Sequence, residues 1–115
     1  MFTLTRSGTI AYIPTGPCHC SPFTGQLTTF EWQVRIKTDS LDRNGFVMRA
    51  EDVDPIVHAI ASANTNASCE QLAFLIATKI EEILYESAFD LNPNSVRVKF
   101  GATGSPSFVE YDTAT

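Results

Sequence analysis

The stretch Ser68-Cys69-Glu70-Gln71-Leu72-Ala73-Phe74-Leu75-Ile76 decides how the chain is read. A serine followed three residues later by a glutamine, directly before an apolar run, is the signature of a capping box: the Ser68 hydroxyl takes the Gln71 N–H and the Gln71 side chain takes the Ser68 N–H. Leu72, Leu75, Ile76, the Lys79 stem, Ile80, Ile83 and Leu84 then recur at steps of three and four. That spacing predicts one buried helical stripe, running to about Ser87. Glu81, Glu82 and Glu86 are read as its solvated face.

Upstream, Glu51 to Ser62 predicts a shorter helix with Val53, Ile56, Val57, Ile60 and Ala61 inward. Pro55 is tolerated there because it falls in the first turn, where its missing N–H leaves nothing unpaired. His58 falls roughly opposite the Ile56 and Ile60 stripe, as a solvent-facing residue. Before this helix, Gln26 to Thr38 is the clearest strand, with Phe30, Trp32, Val34 and Ile36 on one face and Glu31, Gln33, Arg35 and Lys37 on the other. Asn44-Gly45 marks a turn, and Phe46-Val47-Met48 reads as a short extended continuation. The first strand, Phe2 to Tyr12, alternates with a bulge or bend expected at Gly8. After the long helix, Ser95 to Phe100 and Phe108 to Tyr111 form two closing strands.

The order is strand, strand, helix, helix, strand, strand within a single domain, residues 1–115. The fold class is α+β: a four-stranded antiparallel sheet with two helices on one face. The aromatics of the leading strands lead us to expect a partly apolar uncovered sheet face, buried against further copies of the chain. The net charge of −5 offers no basic stripe for phosphates and argues against nucleic acid as a partner. No segment has the length and apolarity of a membrane span. Three cysteines, Cys18, Cys20 and Cys69, cannot all pair within one chain, and without a visible secretory signal the expectation is a reduced, cytoplasmic setting. Cys18-His19-Cys20 is a soft-ligand cluster, but no second Cys or His pair follows to complete a zinc site, so it is read as a loop.

Three stretches together resemble the 6-pyruvoyl-tetrahydropterin synthase and 6-carboxy-tetrahydropterin synthase family. Trp32-Gln33-Val34-Arg35-Ile36 leading into Leu41-Asp42-Arg43-Asn44-Gly45-Phe46-Val47-Met48 is similar to the family's second strand and its turn. Ser68-Cys69-Glu70-Gln71-Leu72-Ala73 is similar to its helix start, and Val96-Arg97-Val98 with Phe108-Val109-Glu110-Tyr111 to its closing hairpin. The resemblance covers roughly residues 26 to 111 and implies the tunnelling fold, whose subunits assemble into barrels.

The chemistry of that family does not carry over. Thr28 and Phe30 stand where its zinc-binding histidines belong, the first strand holds no histidine, and Thr24 stands at its cysteine. Asn64-Thr65-Asn66-Ala67 replaces its Asp-His pair, and Phe100 replaces the glutamate that grips the pterin. A hydroxyl and a phenyl ring do not substitute for imidazole on zinc. No metal, cofactor or catalytic residue is therefore expected. The positions the resemblance leaves for ligand contact are Ser68, Cys69, Glu70 and Phe100. The expected function is a non-catalytic, homo-oligomeric binding or structural protein. The alternative is a metal-free enzyme acting on a pterin- or purine-like ring between subunits, with Glu70, Glu110, Lys99 and Lys79 as its candidate groups.

Overall fold

A computed structural model describes residues 1–16, 25–41, 44–86, 93–105 and 107–114. The Cys18-His19-Cys20 stretch and Thr24 lie outside them. The strands are β1 (Phe2–Tyr12), β2 (Thr28–Thr38), β3 (Ser95–Ala102) and β4 (Val109–Asp112), and the helices are α1 (Val53–Ala63) and α2 (Cys69–Glu86). The sheet is antiparallel throughout in the order β1-β2-β3-β4. The expected ββααββ order and α+β class are therefore seen; α1 is preceded by a 3₁₀ turn, Ala50–Asp52.

Alternation decides which face is buried. Phe30, Trp32, Val34 and Ile36 on β2 stand beside Val96, Val98, Phe100 and Ala102 on β3, all buried, under Val53, Val57 and Ala61 of α1 and Leu72, Ile76, Ile80 and Leu84 of α2. The α2 stripe is rotated slightly from the sequence reading: Cys69, Ala73 and Ala77 are fully buried, whereas Lys79 is half exposed beside Glu82. The small alanines let the helix backbone approach the sheet. The box at its start forms as expected, with the Gln71 N–H donating to Ser68 Oγ at 3.1 Å and the Ser68 N–H to Gln71 Oε1 at 2.8 Å.

Two local expectations change. β1 carries no bulge: Gly8 pairs directly with Trp32. Glycine serves close approach there, since a Cβ at Gly8 would lie 2.8 Å from the Trp32 ring. Val47 and Met48 form no strand and are instead buried as irregular chain against the core. Arg6, on the helix-facing side of β1, clamps Asp54 of α1 with two bonds, Nε to Oδ1 at 3.0 Å and Nη2 to Oδ2 at 2.8 Å. Those bonds hold the Asp54 carboxyl below its ordinary range against a partial loss of solvation. The segment after β1 packs on the α1–α2 linker, the Thr15 N–H donating to the Thr65 carbonyl at 2.9 Å.

The uncovered sheet face is the larger correction. It carries Thr3, Thr5, Ser7 and Thr9 of β1, Glu31, Gln33, Arg35 and Lys37 of β2, Arg97 and Lys99 of β3, and Glu110 and Asp112 of β4. The face is polar, because every strand aromatic takes the helix-facing phase. An apolar sheet face is thus no ground for self-association.

Candidate functional site

A concavity of about 480 Å³ opens on the polar sheet face. Gly8 and Trp32 lie at its floor, where the sheet presents backbone because the Trp32 ring turns to the helix side. Ser7 and Thr9 form one wall, and Glu31, Gln33, Lys99 and Phe108 form the others. Register explains the gathering: Ser7, Gln33 and Lys99 share one cross-strand row, and Thr9, Glu31 and Gly101 the next.

Phe108 reaches this face because of Gly101. An ideal Cβ at Gly101 would fall 2.5 Å from Phe108 Cδ1, so the ring occupies the space a side chain would take. Lys99 Nζ sits 5.5 Å from the centre of that ring, within cation–π range. Glu31 and Gln33 make no side-chain hydrogen bond or ion pair with any described residue. Beneath the floor, the Trp32 Nε1–H is buried without an acceptor among the described residues. Leaving such a donor unpaired costs about 1–3 kcal/mol.

The arrangement presents a carboxylate and an amide beside an aromatic plane and one cation. It can accept N–H donors from a flat ring and stack the ring on Phe108. Its lining holds no cysteine or histidine, and no group of three metal-ligating side chains assembles among the described residues.

The four residues expected at a ligand lie elsewhere. The Ser68 hydroxyl is engaged in the cap, and Glu70 is exposed in the first turn of α2, where its charge suits the helix N-terminus. Cys69 is fully buried and disulfide-bonded. Phe100 is fully buried, its ring 5.4 Å from Phe30, which stacks on Tyr12 at 4.6 Å. In the single chain neither Cys69 nor Phe100 offers surface to a ligand, and Phe100 belongs to the opposite face of the sheet from the concavity.

Of the alternative set, Lys99 lines the concavity, while Glu110 faces Arg97 at 3.4 Å and Lys79 faces Glu82 at 3.6 Å. Glu31, Gln33 and Phe108 are the residues sequence reasoning passed over. The polar phase of β2 was legible, but the fold-back of Phe108 over Gly101 was not. No protein-family model matches the chain and no curated protein matches it.

Proposed function

We propose that the chain is a non-catalytic relative of the pterin synthases acting as a homo-oligomeric binding or structural protein. The observation that carries this reading is the outer edge of β1. Among the described residues it runs eleven residues with a strand neighbour on one side only; it contains no proline, no lysine and no bulge to block further pairing, and its one inward-pointing charge, Arg6, is paired with Asp54. A hollow lined by Leu4, Phe46 and Met48, with Asn44, Arg49 and Glu51 also in its lining, lies beside this edge. Edge-to-edge pairing of copies would satisfy those backbone groups and close the sheets into a barrel, with the polar faces lining its inside. Light scattering combined with hydrogen exchange tests this. The expected result is a multimer in which every second β1 amide is protected, that protection falling on dilution. A strict monomer at all concentrations overturns it.

A second reading, metal-free chemistry on a pterin- or purine-like ring, is favoured by the unpaired Glu31 and Gln33 beside Phe108. Thermal unfolding against a panel of pterins and purines addresses it. Ligand at a hundred times its Kd stabilises by about 2.7 kcal/mol, and Glu31→Gln should abolish that gain. No shift across the panel removes this reading.

A further inference from the structure

The cations of the chain are unevenly placed. Among the described residues, four Lys and Arg residues (Arg35, Lys37, Arg97 and Lys99) and three Asp and Glu residues (Glu31, Glu110 and Asp112) share the uncovered sheet face. Those described charges sum to a small net positive value on a chain that is acidic as a whole.

On that face, Arg35 on β2 stands directly opposite Arg97 on β3. Like charges placed so are destabilising. Arg97 is compensated, its Nε 3.2 Å from Asp112 and 3.4 Å from Glu110. Arg35 is not: it is half-buried and makes no ion pair with any described residue. Lys37, two residues on and on the same face, is also half-buried and makes no ion pair with any described residue. The carboxylate beyond it, Asp39, is held by Asn94 Nδ2 at 3.1 Å. On β1, Thr5 stands opposite Arg35 and Thr3 opposite Lys37.

We propose that Arg35 and Lys37, with the hydroxyls of Thr3 and Thr5, form a binding site for a phosphate group, free or carried as an ester on a small molecule. Residues i and i+2 of a strand lie roughly 7 Å apart, a span that one tetrahedral oxyanion bridges between two long cationic side chains. The guanidinium fork matches two phosphate oxygens at once, while lysine and the hydroxyls supply single donors to the others. Bound phosphate would also supply the counter-charge that Arg35 lacks opposite Arg97. The site lies within one chain and stands whether or not the chain self-associates.

The test is a titration of the intact protein with inorganic phosphate, and separately with glycerol phosphate, at constant ionic strength set by chloride. Amide shifts report binding, and thermal unfolding runs in parallel. Saturable shifts clustered at Thr3, Thr5, Arg35 and Lys37 are expected, weakened about ten-fold or more in Arg35→Gln and in Lys37→Gln. Tighter binding of glycerol phosphate identifies an ester as the ligand, and equal binding identifies free phosphate. Equal phosphate responses in parent and both variants, or shifts that never saturate, overturn the proposal, since phosphate raises stability generally by exclusion from protein surfaces.

Discussion

Replacing Phe100 with alanine lowers the free energy of unfolding by about 3–5 kcal/mol. The ring is fully buried, tilted against Phe30 and flanked in the sheet by Trp32 on β2 and Val109 on β4. Truncation leaves a void that strands paired on both sides cannot close. Domains of ordinary size have total stabilities of about 5–15 kcal/mol, so the loss is a large fraction of the whole. Phe108→Ala is the control. That ring lies on the polar face and remains 37% exposed, so its removal should cost about 1 kcal/mol or less. Urea midpoints at unchanged slope measure both. A Phe100→Ala cost below that of Phe108→Ala would contradict the assignment of Phe100 to the core and return it to the ligand-facing role suggested by the resemblance.

Reduction of the Cys69 disulfide destabilises the chain by about 2–4 kcal/mol. The other cysteines of the chain are Cys18 and Cys20; pairing Cys69 with either closes a loop of roughly fifty residues, long enough for the upper part of that range on chain-entropy grounds. The bond ends on a fully buried residue in the first turn of α2. Unfolding with and without dithiothreitol gives the cost, and Cys69→Ala should show no further response to reductant. Identical curves with and without reductant would sink the prediction. A disulfide at Cys69 sits poorly with the reduced setting expected from the sequence, since such bonds persist mainly in oxidising settings. Spacing could not reveal it: three cysteines allow several pairings, and only the fold brings Cys69 to a partner.

Patterning carried most of the architecture because period is a local property. The phase of Phe30, Trp32, Val34 and Ile36 assigns one face of β2 to the core wherever the strand lies, and Ser68 with Gln71 starts α2 without help from the rest of the chain. Membrane spans follow the same logic: among the described residues no helix is long and apolar enough to cross a bilayer. The uncovered face was misjudged because its character is a sum over four strands. Thr3, Thr5, Ser7 and Thr9 add to Glu31, Gln33, Arg35 and Lys37 only once the pairing register is known. Net charge says nothing of placement for a related reason. A total of −5 is compatible with a face on which Arg35, Lys37, Arg97 and Lys99 collect.

By itself, then, the stretch opening at Ser68 determined a capped helix, and the periods around it determined a ββααββ chain with one apolar sheet face. Those properties depend on residues a few positions apart. Tertiary structure alone decided that Phe108 lies over Gly101, that Arg35 faces Arg97, and that Cys69 is bonded and out of reach. Each of these joins residues distant in sequence or set by strand register, and register depends on the whole sheet.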